Sequence, residues 1–370
     1  MGPNINNQTI AVAMSGGVDS SVAAALLVAQ GHRVIGITMT TWHWPGPFEG
    51  DACGDSFGEE AADSAARVAR SLGIDHVVVD LSEEFKKTVV ADFVRAYAGG
   101  STPNPCVICN QLIKFDLLHH KARELGADMV ATGHYARLRQ DAVSGRYLLL
   151  RPADSRKDQT YMLYRLGQEQ LARSVFPLGD LEKVQVRKIA KSIGLEAADR
   201  PESQEICFLP PGKYREFLAS NDPSFQTPGP IMNRAGHVIG EHRGIAMYTV
   251  GQRKGLSLAA DRPLYVLEIR PDSNTIMVGP VERLYSSWLE VESTNFIPFD
   301  TLSDKMDVQA KIRYRSPAAK AVIFPAANGR VRVEFNEPQR AITPGQSAVF
   351  YDGDLLVGGG IISSNQKADV

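Results

Sequence analysis

The chain alternates short apolar runs with longer stretches in which apolar positions recur every three or four residues. Short apolar runs between turn residues indicate buried strands, and the longer spacing indicates amphipathic helices. This alternation predicts an α/β fold: a doubly wound parallel sheet with helices on both faces and ligands at the carboxyl ends of its strands. The predicted strands are 10–13, 33–39, 76–81 and 128–132, and the predicted helices are 20–30, 59–72, 83–97 and 111–125.

Two irregular insertions rich in Gly, Pro or aromatic residues interrupt this pattern at 41–57 and 99–110. Loops of that length in a compact domain are usually functional or mobile. After about residue 210 the pattern changes to short, strand-like runs, with Asn328-Gly329 as a hairpin turn, which fits a small all-β barrel. We therefore predict three domains, at 1–209, 210–283 and 284–370.

Composition limits the classes of partner. The 370 residues carry 40 Lys and Arg against 42 Asp and Glu, a net charge of -2, so a nucleic-acid surface must be a local patch. The segment 305–340 offers one, with eight basic and three acidic residues, although a solvated β surface explains it equally well. Because no run of 18 apolar residues and no signal-peptide pattern occurs, we expect a cytoplasmic protein without membrane contact.

The first predicted strand leads into a Gly-rich polar turn, Ser15-Gly16-Gly17-Val18-Asp19-Ser20. Glycine lets backbone N–H groups approach an anion closely, and the following helix directs its positive end to the same place. No lysine follows as in a Walker A loop, and the spacing is not that of the dinucleotide fingerprint. The turn predicts a phosphate-binding cradle, and it resembles the PP-loop of enzymes that split ATP between its α and β phosphates.

Four cysteines in so long a chain argue against a disulfide scaffold. Cys106 and Cys109 form a CxxC motif after two prolines, and Cys207 follows about a hundred residues later. Zinc lacks a fourth ligand at suitable spacing. A persulfide relay between Cys109 and Cys207, a [4Fe-4S] cluster on three thiolates, and inert buried cysteines all stay open. Cys53 has no evident partner and is most simply a spare thiol.

Further motifs extend the resemblance along nearly the whole chain. They are Thr102-Pro103-Asn104-Pro105, Thr132-Gly133-His134-Tyr135-Ala136, Lys157-Asp158-Gln159-Thr160-Tyr161, Ile206-Cys207-Phe208, the run from Tyr248 to Leu256, and Gly345-Gln346. In this order they resemble the bacterial and organellar tRNA-specific 2-thiouridylases. The resemblance implies a transferase that uses ATP and Mg²⁺ to adenylate the C2 oxygen of the wobble uridine, position 34 of tRNA, before sulfur replaces that oxygen.

The resemblance also implies roles for individual residues. Contacts to ATP are expected from Ala13, Met14, Ser15, Gly16, Gly17, Val18, Asp19, Ser20, Met39 and Gly133. Cys109 takes the nucleophile position and Cys207 the persulfide position. Residues expected to face the tRNA anticodon stem-loop are Asn104, Pro105, His134, Lys157, Asp158, Gln159, Arg313, Tyr314 and Gln346, with Asn104 to Cys106 beside the target base.

One position departs from the family pattern. Many members carry aspartate directly after Thr-Pro-Asn-Pro, where this chain has Cys106. Three thiols favour the [4Fe-4S] route over the persulfide relay, with Cys109 then an iron ligand, and either route needs an upstream sulfur donor. Two alternatives to the whole interpretation are a PP-loop ligase of small molecules and a non-catalytic tRNA-binding or metal-storage protein.

Overall fold

The computed structural model describes residues 8–42, 59–195, 206–209 and 212–364. Cys53 and nearly all of the first predicted insertion lie outside these ranges. The chain forms two compact units. Unit 1 comprises 1–89, 106–211 and 354–356, and unit 2 comprises 90–105, 212–353 and 357–370. No helix in the described ranges is both long and apolar enough to span a membrane.

Unit 1 is built on a five-stranded parallel sheet with strand order β3-β2-β1-β4-β7. These strands are β1 (Thr9–Ala13), β2 (Arg33–Thr40), β3 (Asp75–Asp80), β4 (Met129–Ala131) and β7 (Ser174–Val175). A hairpin of β5 (Arg137–Gln140) and β6 (Tyr147–Leu150) also belongs to unit 1. The central strands β1, β2 and β4 are almost entirely buried, as expected for the predicted parallel sheet with helices on both faces.

The main helices of unit 1 are α1 (Val18–Ala29), α2 (Glu59–Leu72), α3 (Ser82–Phe85), α5 (Pro105–Ile108), α6 (Leu118–Glu124), α7 (Gln168–Ala172) and α8 (Lys183–Ser192). Its core includes Ile10, Val12, Val22, Leu27 and Val186, each at most 1% exposed. These residues join the first strand to α1 and α8, so the core fixes the loop that connects β1 to α1.

The predicted insertion at 99–110 is partly wrong. Pro105 begins a helical run that continues through α5, a π-helical segment Cys109–Leu117 and α6. Proline is favoured in the first turn of a helix, where its missing N–H has no intrahelical partner, so the prolines of this segment mark a helix start rather than a loop throughout. Cys106 and Cys109 consequently lie on a helix.

Unit 2 contains two β structures. A six-stranded barrel has the order β12-β15-β14-β13-β16-β17 and closes by pairing of β12 with β17. Its strands are β12 (Tyr285–Phe296), β13 (Met306–Lys311), β14 (Ala319–Pro325), β15 (Val331–Arg340), β16 (Ser347–Asp352) and β17 (Leu355–Ser364). Asn328, with a φ of 58°, turns the chain between β14 and β15, so the predicted barrel and its hairpin are confirmed.

The second β structure is a four-stranded sheet of order β10-β11-β8-β9. Its strands are β8 (Gly229–Met232), β9 (Val238–His242), β10 (Tyr265–Arg270) and β11 (Thr275–Gly279). Helices α4 (Ala91–Ala98) and α9 (Tyr214–Asn221) belong to the same unit. Phe93 of α4 packs against Phe217 of α9 with ring centroids 6.1 Å apart, which ties the segment 90–105 to unit 2. The three predicted domain boundaries stay a prediction.

Candidate active site

The Gly-rich turn follows β1 directly and forms a closely packed loop. Gly16 has a φ of +71°, and a Cβ there would come within 2.6 Å of the backbone oxygen of Ala61. The Ser64 hydroxyl donates to the Gly16 carbonyl at 3.1 Å, and the Ser20 hydroxyl accepts from the Ser15 N–H at 3.2 Å. Gly17 is the N-cap of α1, so the first N–H groups of a 12-residue helix point to this loop. The sequence therefore folds locally into an anion-binding shape.

Gly133, which follows β4, packs against the start of α1. A Cβ on Gly133 would lie 2.7 Å from the Ser20 nitrogen and 2.9 Å from the Asp19 carbonyl carbon. These neighbours are backbone atoms, which cannot move aside as a flexible side chain can. Met39 lies buried in β2, next to β1 in the sheet. The residues predicted to contact ATP therefore gather at the carboxyl ends of β1, β2 and β4, although their contacts with ATP stay a prediction.

An ion pair that the sequence did not indicate lies at this turn. The Lys183 ammonium donates to both Asp19 carboxylate oxygens, at 2.7 and 2.8 Å, and the Tyr135 hydroxyl donates to Asp19 Oδ1 at 2.8 Å. Lys183 is 7% exposed and is the first residue of α8. Its backbone N–H donates to the buried Asp154 carboxylate, which fixes where that helix begins.

The three predicted thiols lie in the same unit and near enough to influence one another's pKa. Cys106 is on α5, Cys109 begins the π-helical segment, and Cys207 belongs to the short described stretch 206–209. All three are free thiols; Cys109 is buried, and the other two are partly exposed. Phe208 anchors the stretch by packing edge-on against Phe85, with ring centroids 5.4 Å apart.

Burial dominates the electrostatics of the thiols. It raises the pKa of Cys109 to about 11, with Lys114 opposing the shift and Cys106 adding to it. Burial likewise raises the pKa of Cys207, and the nearby Cys109 and Cys106 raise it further. Burial also raises the pKa of Cys106. The charge of Lys114 opposes this effect of burial at each of the three thiols. At neutral pH these side chains are therefore neutral thiols, and Lys114 is the cation that favours their charged form.

The neighbourhood of Lys114 continues to the residue after Gly133. Burial holds the pKa of His134 well below its usual value, and the charge of Lys114 lowers it further. The His134 ring lies 5.8 Å from the Phe115 ring, and its Nδ1 is 2.8 Å from the Thr132 hydroxyl. His134 is therefore a neutral imidazole within the electrostatic reach of the cation that acts on the thiols. Gly133 packs against the start of α1, and the next residue, His134, is influenced by the same lysine as the thiols. The thiols and the cradle are therefore connected through residues 133 and 134.

The other predicted tRNA contacts of unit 1 have partners within the unit. The Gln159 side-chain oxygen accepts from the Tyr135 N–H at 2.8 Å, which places Gln159 beside His134. The Asp158 carboxylate accepts from the N–H and hydroxyl of Thr160 and so supports the following turn. Lys157 lies in the turn that Asp154 caps. Gln159 therefore supports the loop after β4, whereas Lys157 and Asp158 belong to the turns after β6. The contact of these residues with tRNA stays a prediction.

In unit 2, a cleft of about 370 Å³ brings other predicted tRNA residues together. Arg313 donates to the Thr343 hydroxyl at 2.9 Å and to the Ala341 carbonyl. The Gln346 amide donates to the carbonyls of Thr102 and Pro103 at 2.9 and 3.2 Å, so it holds the segment that leads to Asn104 and Pro105. The cleft is lined by Thr102, Gln252, Arg313, Arg340, Thr343 and Gln346, among others. Tyr314 lies under the Lys311 ammonium, 5.4 Å from ring centroid to nitrogen.

Comparison with known proteins decides the family. Residues 8–211 match the family described as tRNA methyl transferase HUP domain, residues 215–280 its PRC-barrel domain, and residues 286–362 the aminomethyltransferase beta-barrel domain. A Clostridium perfringens protein named tRNA-specific 2-thiouridylase MnmA is 47% identical over 363 residues, which cover 97% of this chain and 99% of the relative. The chain belongs to the tRNA-specific 2-thiouridylase family.

Two further relatives that are named tRNA-specific 2-thiouridylases show a similar degree of likeness. The Moorella thermoacetica protein is 49% identical over 356 residues, covering 95% of this chain and 99% of the relative. The protein from Caldanaerobacter subterraneus subsp. tengcongensis is 49% identical over 363 residues, covering 98% and 100%. The family and the enzyme class that the motifs predict are therefore confirmed, as is the fold of a thiouridylase with a HUP domain, a middle domain and a β-barrel.

The three cysteines of the predicted [4Fe-4S] site are not arranged as metal ligands in this structure. In the described ranges, no three His, Cys, Asp or Glu side chains are arranged so that they share a metal ion. The thiols influence one another's pKa, but their arrangement does not form a site for a cluster. Mg²⁺ makes smaller demands, because it is commonly held by one or two carboxylates together with substrate phosphates. Asp19 is the carboxylate at the cradle, and both of its oxygens accept hydrogen bonds from the Lys183 ammonium.

Proposed function

We propose that the protein thiolates C2 of the wobble uridine, position 34 of tRNA, in a reaction driven by ATP. The observation that carries this proposal is the joining of two sites in unit 1. The cradle meets β4 at Gly133, and the next residue, His134, lies within the field of Lys114, which also acts on three thiols. A phosphate site beside three thiols, one of them buried, suits a reaction in which an oxygen is activated by ATP and replaced by sulfur.

The first step activates a poor leaving group. The C2 oxygen of uridine attacks the α-phosphate of ATP, the bond between the α and β phosphates breaks, pyrophosphate leaves, and the base carries AMP on its oxygen. The N–H groups at the start of α1 would stabilise the charge on the phosphates. If Mg²⁺ accompanies ATP, Asp19 is the carboxylate that would hold it, once the Lys183 ammonium has moved away.

The second step delivers sulfur to C2 of the base. In the relay, Cys207 carries a persulfide, and the Cys109 thiolate attacks its inner sulfur, forming a disulfide and releasing hydrosulfide. Hydrosulfide then attacks C2 of the base, and AMP leaves with the former uridine oxygen. A thiol reductant restores the two cysteines, and an upstream donor restores the persulfide. Exclusion of water keeps the adenylated base from hydrolysis.

The alternative route uses a [4Fe-4S] cluster, and the third thiol, Cys106, favours it. Cys106, Cys109 and Cys207 would hold three irons of a [4Fe-4S] cluster, which when bound would offer its fourth iron to hydrosulfide. Because these thiols do not form a ready metal site, a change in their placement must accompany cluster assembly. Lys114 would stabilise the thiolates needed in either route, since it lowers the pKa of each thiol.

Recognition of tRNA follows the physics of single-stranded RNA. An unpaired base of the anticodon loop can be turned out into a pocket, while basic side chains bind phosphates around it. Arg313 and Gln346 line one polar cleft with Arg340, and the barrel strands around it carry further lysines and arginines. We assign this cleft to the anticodon stem-loop.

The decisive assay uses purified protein, ATP, a sulfide source and two tRNA transcripts that differ only in having uridine or cytidine at position 34. Nucleoside mass spectrometry should find 2-thiouridine only in the first, with one AMP formed for each thiolated base. AMP formation that does not depend on tRNA would instead support a small-molecule ligase. Absence of AMP formation altogether would support a non-catalytic protein.

Anaerobic purification separates the two sulfur routes. A brown protein with iron approaching four per chain, lost in Cys106→Ser but not in Cys53→Ser, would establish the cluster. A colourless protein that thiolates tRNA with a persulfide donor would establish the relay.

A further inference from the structure

The phosphate cradle lacks a cation of its own. The loop from Ser15 to Ser20 contains an aspartate and no lysine or arginine. Helix N–H groups offer only a partial positive charge, whereas the triphosphate of ATP carries several full negative charges. Asp19, in the first turn of α1, adds a negative charge at the same place. A cation from elsewhere in the chain would therefore strengthen the binding of a polyphosphate, in addition to any Mg²⁺ that accompanies it.

The structure brings one such cation to the loop. Lys183, 164 positions further along, donates to both oxygens of Asp19 at 2.7 and 2.8 Å. Its side chain is only 9% exposed, while that of Asp19 is 29% exposed, so the pair is open to solvent mainly on the carboxylate side. The start of α8 at Lys183 is fixed by the backbone bond to Asp154, so the lysine emerges from a rigid point.

The pair is a poor choice for stability alone. Desolvating an ammonium and a carboxylate costs about as much as their attraction returns, so apolar residues of similar size often serve a core equally well. Asp19 also has a second donor, the Tyr135 hydroxyl at 2.8 Å, and the Lys183 ammonium lies 5.8 Å from the centroid of that tyrosine ring. This arrangement leaves the carboxylate with a hydrogen bond when the lysine turns away.

We infer that Lys183 is the phosphate-binding cation of the cradle, stored on Asp19 until a nucleoside triphosphate enters. On binding, the ammonium exchanges the carboxylate for phosphate oxygens, and Asp19 keeps its bond from Tyr135. The inference rests on the proposed function only in taking ATP as the ligand. Lys183 thereby supplies the role that a lysine within the loop has in Walker-type sites, from a different element of the fold.

The test compares binding of ATP and adenosine, measured by equilibrium dialysis in EDTA so that no divalent ion contributes. Lys183→Met removes the charge with little change in volume, and Lys188→Met, at an exposed position of the same helix, is the matched control. A charged hydrogen bond of the usual strength predicts that Lys183→Met weakens ATP binding by about 10- to 100-fold. Adenosine binding should stay within about twofold in both variants, since adenosine has no phosphate for the lysine to bind.

The variant Asp19→Asn should change the affinity for ATP in the opposite direction. It removes a negative charge from the cradle and frees Lys183, so ATP binding in EDTA should be as tight as in the unchanged protein or tighter. If Lys183→Met does not fold, the double variant with Asp19→Asn leaves no unpaired buried charge and should show the same selective loss of ATP binding.

The inference is overturned if Lys183→Met binds ATP normally, if it loses ATP and adenosine to the same extent, or if Asp19→Asn weakens ATP binding as much as Lys183→Met does. Failure of the unchanged protein to bind ATP would instead contradict the proposed function, so the two failures are distinguishable.

Discussion

The cradle and the thiol cluster of unit 1 differ in whether their side chains are charged. At the cradle, an ammonium, a carboxylate and a phenol hydroxyl are linked by short hydrogen bonds. At the thiol cluster, burial keeps Cys109 protonated, and Lys114 only partly opposes that effect. In the proposed reaction the triphosphate therefore meets charged groups that are already in place, whereas Cys109 must lose its proton before it can react. A sulfur nucleophile that is neutral at rest is protected from stray oxidants.

The largest effect should follow from removing one thiol. Cys109→Ser should lower the rate of tRNA thiolation by about 1,000-fold or more, because loss of a reacting group commonly has that effect. ATP binding, measured by dialysis, should stay within about twofold, since the cradle does not use the thiol. Cys53→Ser is the control and should thiolate normally. Loss of ATP binding in Cys109→Ser would show that the two sites are not separable in this way.

A second variant tests the cradle where it meets β4. Gly133→Ala places a Cβ 2.7 Å from the Ser20 nitrogen, and the backbone of α1 must shift. Overpacking of this kind costs about 1 to 3 kcal/mol, so urea unfolding should show a lower free energy of unfolding, with weaker ATP binding. Gly167→Ala is the matched control, because a Cβ there has its nearest neighbour at 3.9 Å. Equal stability of the two variants would contradict the close packing.

A third prediction concerns the cleft of unit 2. Arg313→Ala should weaken tRNA binding by about 5- to 30-fold and reduce the salt dependence by about one ion, as expected for loss of one phosphate contact. Filter binding across a salt series measures both quantities, with ATP affinity as the internal control. An unchanged tRNA affinity at every salt concentration would remove Arg313 from the interface.

The smallest effect concerns the pH dependence of the thiols. With its pKa at about 11, Cys109 is a thiolate in only about one molecule in a thousand at pH 8, so alkylation should rise about tenfold per pH unit from pH 7 to 10. Lys114→Met removes the charge that lowers this pKa and should slow alkylation at pH 8 by about three- to tenfold. Site-resolved mass spectrometry of iodoacetamide labelling gives both rates. A plateau below pH 9 would show that Cys109 is not desolvated.

Local sequence patterns were sufficient to predict the parallel sheet, the cradle and the barrel, because each depends on a contiguous run with a regular period or a turn motif. The start of α5 is not evident from the sequence, because Pro105 suits a loop and a first helical turn equally well. Lys183 was missed for a different reason. No local signature marks a lysine that reaches a carboxylate 164 residues away, since tertiary packing alone brings the two together.

The convergence of the thiols depended on the family resemblance rather than on spacing. Cys207 lies about a hundred residues from the CxxC motif, and nothing in the intervening pattern indicates where its chain returns. The structure brings its thiol within the field of Cys109 and Cys106, in one unit with the cradle. The raised pKa of each thiol is a property of the folded environment that composition does not contain.

In the proposed reaction, the cradle activates the same base that the thiols modify. The most direct measurement uses tRNA labelled with ¹⁸O at C2 of uridine 34, with ATP and a sulfide source, and follows the label in the AMP released. We expect each AMP to carry one ¹⁸O atom and each modified uridine to carry sulfur in its place. Unlabelled AMP formed alongside 2-thiouridine would contradict activation of the uridine oxygen by ATP.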